Sequence, residues 1–125
     1  MMRTAPMKQL LSETAEARPV TSIEGVPTSG TLHVKPLLAG EHLAMLEIRM
    51  ARGVRSAMHA HGHESILYVI SGSLRTVVGD EVLVVRAGQA CRQPQDVAHS
   101  VEALEDSVFI EVKAPAPDLE RTLGL

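Results

Sequence analysis

Histidines are concentrated in one short stretch of this sequence. His59, His61 and His63 recur at every second position, just before a run of branched residues. In extended backbone, residues two apart lie on the same face, so two of these imidazoles can bind one ion. A third ligand must come from elsewhere, and His99 ends a second turn-rich stretch, residues 88–99. The spacing therefore predicts one divalent metal ion held by His59, His61 and His99.

An ordinary alternative has to be weighed for every histidine. A lone histidine is more often exposed or hydrogen-bonded than a metal ligand, and a histidine-rich patch can simply be solvated. His33 and His42 lie in earlier segments and are interpreted as incidental. The metal hypothesis depends on the elements that would bring the later histidines together.

Those elements are predicted to be short β-strands separated by turns. Dipeptides with turn chemistry, such as Gly79-Asp80, separate runs of branched residues, which is the pattern of β-hairpins. The predicted strands are Thr31–Leu38, His42–Met50, Ser65–Ile70, Leu74–Val78, Glu81–Val85, His99–Leu104 and Ser107–Lys113. No helix long enough for a parallel crossover lies between them, so an antiparallel all-β sandwich or barrel is expected.

The flanking segments have weaker patterns. Residues 1–17 carry a faint helical periodicity, and Arg18–Gly30 is rich in glycine and proline, which favours extended or turning backbone. Pro115 and Pro117 end the predicted sheet, and Leu119–Leu125 has room for one helical turn.

Bulk composition excludes several classes of function. The 125 residues suit a single domain, 45% of them are hydrophobic, and only 2% are aromatic. The net charge of −3, without a basic cluster, argues against nucleic acid or an anionic membrane surface as a partner. A single cysteine and the lack of a long apolar run lead us to expect a cytoplasmic protein.

Glycines around the histidines extend the pattern into two motifs. Gly53 is followed by five residues and then His59-x-His61, and Gly72 closes this stretch. In this arrangement the sequence resembles the first motif of the cupin superfamily, which has a glutamate seven residues before its closing glycine.

The second stretch resembles the other cupin motif. Gly88 is followed by five residues, Pro94, and then His99 at the family's spacing. Asp96 replaces the family's glycine, but aspartate tolerates left-handed backbone, so we expect the turn to survive. The resemblance covers Thr31 to about Pro115.

The resemblance implies a fold and an assembly. It implies a single-domain double-stranded β-helix, or jelly-roll barrel, over residues 31–115. Residues 1–30 would then form an N-terminal arm or edge segment, and residues 116–125 a C-terminal tail. Because cupins often exchange N-terminal strands across a two-fold axis, it also implies a homodimer.

One departure concerns the metal. Ser65 stands where the family has its glutamate, or a glutamine in some small bacterial cupins, and a serine hydroxyl is a poor ligand for a transition metal. Three alternatives remain open at this point: water completes the site, His63 becomes a fourth ligand, or Glu64 does. The metal itself could be zinc, iron, nickel or manganese.

Several functions are compatible with such a site. The favoured one is a metal-dependent isomerase or lyase acting on a small oxygen-rich molecule, such as a sugar-derived keto acid. A three-histidine iron dioxygenase, a non-catalytic module that binds or senses a small molecule, and a vestigial site are the alternatives.

Other residues were considered for supporting roles. An acidic substrate would call for an arginine in the barrel, and the candidates are Arg49, Arg75 and Arg92, although most are expected to face outward. Glu64 could act as a general base. The sequence contains two further candidates, Tyr68 and Cys91, and both are expected mainly to pack in or near the core.

Overall fold

The computed structural model describes residues 16–125, so most of the predicted N-terminal helix over residues 1–17 lies outside the described residues. The described part contains nine strands and one short helix. They are β1 (Arg18–Ile23), β2 (Val26–Ala39), β3 (Ala44–Met50), β4 (Glu64–Ser71), β5 (Ser73–Val78), β6 (Glu81–Arg86), β7 (Ala90–Gln93), β8 (His99–Ala103), β9 (Ser107–Ala114) and α1 (Leu119–Leu123).

The strands form two antiparallel sheets. Six strands pair in the order β1-β2-β3-β9-β4-β7, and the other three pair in the order β6-β5-β8. Every pairing between these strands is antiparallel. The prediction of an antiparallel all-β fold is therefore confirmed. Strand β7 lies within residues 88–99, which were interpreted from the sequence as turn-rich, and it was not among the predicted strands.

Period-two alternation decides which side chains enter the core. In β3, Ala44, Leu46, Ile48 and Met50 are buried, while the residues between them are less so. Leu67, Val69, Leu74 and Phe109 join the same core from other strands. In β9, however, the inward row also contains charged residues, so one part of the interior is apolar and another is polar.

The glycine- and proline-rich segment before Thr31 is part of the sheet. β1 pairs with the first half of β2, and its Val20 and Ile23 are buried in the core. The turn between them contains Glu24 and Gly25, both with positive φ. The segment thus forms the edge of the six-stranded sheet within a single chain.

Two motif positions, Gly72 and Asp96, have backbone with positive φ. Gly72 has a φ of 88° between β4 and β5, and a Cβ there would lie 2.5 Å from the carbonyl oxygen of Asp106. Asp96 has a φ of 61°, which confirms that aspartate can replace the motif glycine.

The tail after the sheet forms the expected helical turn, α1. Asp118 caps it by accepting hydrogen bonds from the backbone of Glu120 and Arg121, and Leu123 packs into the core. None of the helices in residues 16–125 is long and apolar enough to cross a membrane.

Candidate metal centre

The three predicted ligands converge inside the barrel. His59 lies in an irregular segment beside β8, where its backbone exchanges hydrogen bonds of 3.0 and 2.8 Å with that of His99. His61 is two residues further on and faces the same side. The ligand nitrogens of His59, His61 and His99 all lie within 4.8 Å of one another, and each residue is less than a tenth exposed.

Each of these rings is held through its Nδ1 atom. His59 Nδ1 lies 2.7 Å from the carbonyl oxygen of Ala57, and His99 Nδ1 lies 3.2 Å from that of Val97. His61 Nδ1 lies 2.8 Å from Oε1 of Glu24. Because these acceptors cannot donate, Nδ1 must carry the proton, which leaves the Nε2 lone pair of each ring free for a metal.

Burial keeps the rings neutral. It lowers the pKa of His59, and it lowers the pKa of His99 to about 4. Burial, with the nearby positive charge of Lys113, lowers the pKa of His61 to about 2. A neutral imidazole is the form that binds metal, so the three side chains fit a divalent ion in both geometry and protonation state.

Glu24 is a functional residue that the sequence did not reveal. It has a φ of 52°, an uncommon conformation for a residue with a side chain, and its backbone N–H donates to the carbonyl of Thr122 at 2.8 Å. Its second carboxylate oxygen accepts a 3.0 Å hydrogen bond from Arg121. The hairpin turn and α1 therefore jointly fix the carboxylate that orients His61.

His63, Glu64 and Ser65, the residues at or near the family's fourth-ligand position, each have another side chain as a partner. His63 is buried and stacks on His61, but its Nε2 lies 3.4 Å from Nζ of Lys113 and it is outside the three-histidine cluster. Glu64 lies on the outside and accepts a 2.8 Å hydrogen bond from Arg92, so the roles of metal ligand and general base considered for it are both wrong. Ser65 accepts a hydrogen bond from Lys113 at 3.2 Å.

A buried ion pair lies in the same interior. Lys113 Nζ is 2.6 Å from Oε2 of Glu111, and both side chains are more than nine-tenths buried. The ammonium group holds the pKa of Glu111 below its usual value despite complete burial. With Glu111, Ser65 and His63 around it, the ammonium group has a partner for each of its three N–H bonds.

The candidate ligands and this ion pair line one cavity, which has an internal volume of about 30 Å³ and opens to solvent. The polar wall of the cavity is formed by the three candidate ligands together with Ser56, Gln93, Glu111 and Lys113. Its apolar wall consists of Ile23, Leu32, Val34, Leu46, Ile48, Met50, Val101, Phe109 and Leu123. The cavity thus places a ligand set for a metal against an apolar wall, and it opens to solvent, from which a small molecule can approach.

The remaining predicted residues lie elsewhere. Arg49, Arg75 and Arg92 are all exposed, so none of them supplies the cation expected in the barrel. Tyr68 is 47% exposed, so it is half-buried as expected, but it lies on the outer face of β4 rather than against the core. Cys91 is buried in the core, as expected, and burial raises the pKa of its thiol.

Similarity to known proteins agrees with this architecture. The fold is that of an all-β barrel whose interior carries a three-histidine cluster able to bind a metal. The family model for the cupin domain matches residues 46–112, and the chain belongs to the cupin family.

Three individual proteins show how far the similarity in sequence and in fold extends. The pectin degradation protein KdgF of Dickeya dadantii is 31% identical over 77 residues, which are 60% of this chain and 70% of that protein. The solved structure of KdgF from Halomonas sp. has a TM-score of 0.67 and 27% identity, and the match covers 70% of this chain and 81% of that one. An RmlC-like cupin from Shewanella frigidimarina has a TM-score of 0.77 at 22% identity over 91% of this chain and 97% of that one, which shows the shared fold.

Proposed function

We propose that this cupin is a metal-dependent enzyme of the isomerase or lyase type, acting on a small, acidic, oxygen-rich molecule such as a sugar-derived keto acid. The observation that carries the proposal is the set of three buried imidazoles, each with its Nδ1 proton engaged and its Nε2 lone pair free. Such a set is prepared to hold one divalent ion before any substrate binds.

The charges around the cavity favour an acidic substrate. The charges of Glu111 and Lys113 cancel each other, and the histidines are neutral. Among the described residues that line the cavity, no further carboxylate opposes the charge of a bound ion. A divalent ion therefore makes this interior net positive, which attracts a carboxylate or a developing enolate.

The chemistry of the metal is general, and the chain determines how it is used. A divalent ion polarises a carbonyl or hydroxyl oxygen of a bound substrate. Glu24 keeps His61 in the tautomer whose Nε2 atom can bind the metal. Glu111 forms an ion pair with Lys113 and so fixes the position of the ammonium group within the polar wall. Residues such as Leu46 and Phe109 exclude water from the opposite side of the cavity.

The relative named for pectin degradation supports this class of substrate. Pectin is a polymer built largely of sugar acids, so its breakdown yields small carboxylates rich in hydroxyl and carbonyl oxygens. With a divalent ion bound, the net positive interior of the cavity suits molecules of that kind.

The test begins with the metal. Protein purified without chelator or nickel resin should contain about one divalent ion per chain by elemental analysis, and His99→Ala should contain none. The purified protein should then convert unsaturated or keto sugar acids in a panel equally well with and without air. Iron together with oxygen consumption would replace this proposal with a dioxygenase, and stoichiometric metal without turnover would replace it with a binding module.

We also propose that the protein is a homodimer formed through the outer face of the large sheet. On β4, Ile66, Tyr68 and Ile70 are each about half exposed, and Ile110 and Val112 lie beside them on β9. A contiguous apolar surface of this kind favours association of identical faces across a two-fold axis. Light scattering at micromolar concentration should report a dimer for the wild type and a monomer for Ile70→Lys, and a monomeric wild type would contradict the proposal.

A further inference from the structure

Gln93 is a buried polar side chain on the cavity wall that has no hydrogen-bond partner. It is 1% exposed, and it lines the cavity together with His59, His61 and His99. Neither its Nε2 nor its Oε1 bonds to any residue within 16–125. Because buried amides are almost always paired, an unpaired one that faces a cavity points to a bound group.

The strand register places Gln93 beside the three histidines. His59 faces His99 across one antiparallel bridge. Six residues after His59 and six before His99, Ser65 pairs directly with Gln93. Ser65 and Gln93 are both buried, and Gln93 lines the same cavity as the three histidines. The amide therefore enters the interior from the neighbouring strand, at the position where Ser65 is too short to reach a metal.

Other side-chain oxygens facing this interior are already engaged. Ser65 Oγ accepts from Lys113, and Ser56 Oγ accepts a 2.9 Å hydrogen bond from the backbone of Val101. Glu111 is paired with Lys113. Within the described cavity wall, this leaves Oε1 of Gln93 as the oxygen that needs a partner.

We propose that Oε1 of Gln93 is a fourth protein ligand of the metal ion, an inference that rests on the proposed three-histidine centre. An amide oxygen is a neutral donor, so it completes the ligand set without reducing the positive charge that attracts an acidic substrate. The Nε2 group of the same amide is then free to donate a hydrogen bond to an oxygen atom of the substrate.

The test compares metal affinity with the stability of the metal-free protein. In Gln93→Leu, cobalt(II) should bind roughly tenfold or more weakly by competition titration, as measured losses at metal-site residues suggest. The unfolding midpoint of the metal-free variant should be unchanged or higher, since an unpaired buried amide has been replaced by an apolar side chain. A merely structural glutamine would produce the opposite pattern, with lower stability and unchanged affinity.

Matched variants separate the possible outcomes. Gln95→Leu changes an exposed glutamine two residues away and should leave both quantities unchanged. The double variant Gln93→Leu/Ser65→Gln should recover cobalt affinity. In this variant the glutamine stands at position 65 on β4, which pairs directly with position 93 on β7.

Spectroscopy gives a readout independent of activity. The side-chain amide signals of Gln93 are identified in nitrogen-15 NMR spectra of the wild type as those that are absent from Gln93→Leu. Saturating the wild type with zinc should shift these signals. Wild-type affinity in Gln93→Leu, or amide signals that zinc does not move, would overturn the role of Gln93. Wild-type affinity in His99→Ala would instead show that the three-histidine centre is wrong, and the inference about Gln93 would fall with it.

Discussion

Two pairs of residues on adjacent backbone segments, His59 with His99 and Ser65 with Gln93, differ in how completely their side chains are hydrogen-bonded. His59 and His99 exchange backbone hydrogen bonds, and each ring has an acceptor for its Nδ1 proton. In the second pair, Ser65 is engaged by Lys113, but Gln93 has no partner among the described residues. A side chain with a full set of partners is fixed in one role, whereas an unpaired buried one marks where an external group completes the structure.

Removing a ligand from the fully bonded pair should have the largest effect. His59→Ala and His99→Ala should each lower metal affinity by more than the ~10- to 100-fold expected for outer partners, so that stoichiometric binding is lost at micromolar metal. The backbone hydrogen bonds between these residues do not involve the imidazoles, so the fold should persist. Isothermal titration with zinc measures the loss, and circular dichroism checks the fold. Unchanged titration in either variant would contradict the site.

Breaking the buried ion pair tests another part of the polar wall of the cavity. Lys113→Met leaves the carboxylate of Glu111 buried without its partner, which should lower the free energy of unfolding by about 3–5 kcal/mol. Urea denaturation measures this change.

The matched control for that variant removes both charges. Glu111→Gln/Lys113→Met should recover much of the lost stability, because no uncompensated charge remains. A double variant as unstable as the single one would show that packing of the lysine stem, rather than charge, stabilises this wall.

The contrast between these regions also shows what the sequence could and could not predict. The period-two spacing of His59 and His61 was sufficient to single out two histidines of the buried cluster, and the turn residues between branched runs predicted most of the strands. In β9 the same alternation failed to identify Glu111 and Lys113, because Ile110 and Val112 form the more apolar row and yet face outward. Which row is inside depends on the neighbouring strands.

Two other residues were missed because their roles depend on contacts formed only in the folded chain. Glu24 lies 37 residues from His61, and only the closed sheet brings its turn to the ring. Gln93 has significance only through its register with Ser65, which the local sequence does not specify. The two motifs thus identify candidate ligands, including His99 far along the chain, whereas the groups that orient or complement those ligands depend on tertiary structure.

The neutral histidines should make the metal-free protein sensitive to acid. The pKa values of His63 and His99 are lowered to about 4, mainly by burial, so the unfolded chain takes up protons near pH 6.5 while the native chain does not. Stability should therefore be full above pH 6.5 and decline toward pH 4, by up to about 1.4 kcal/mol per pH unit for each histidine.

Urea denaturation with chelator between pH 7.5 and about 4.5 measures this decline. The lower limit avoids the range in which Glu111, whose pKa is lowered by Lys113, adds its own dependence. His63→Phe should flatten the profile, since one buried titrating ring is removed. A profile that is flat for the wild type would show that the rings are not kept neutral by the fold.

A smaller effect is expected at the carboxylate that orients His61. Glu24→Gln preserves an acceptor for Nδ1 but removes the negative charge, so metal affinity should fall by roughly 10- to 100-fold. The control is Glu47→Gln, which alters a carboxylate bonded to Arg49 at 3.0 Å and outside the cavity lining. Equal affinities in the two variants would indicate that Glu24 serves only to join the hairpin to α1.

Ser65→Ala should have the smallest effect, although it changes the position where the cupin motif has its carboxylate. The hydroxyl group accepts a hydrogen bond from Lys113, which retains Glu111 and His63 as partners, so the expected loss of stability is about 1 kcal/mol. Zinc affinity should remain within about threefold of the wild type, because serine is a poor donor to such metals. A large loss of zinc affinity in a stable Ser65→Ala protein would indicate that the serine itself is a ligand. In that case the unpaired side chain of Gln93 would no longer mark the group that completes the metal site.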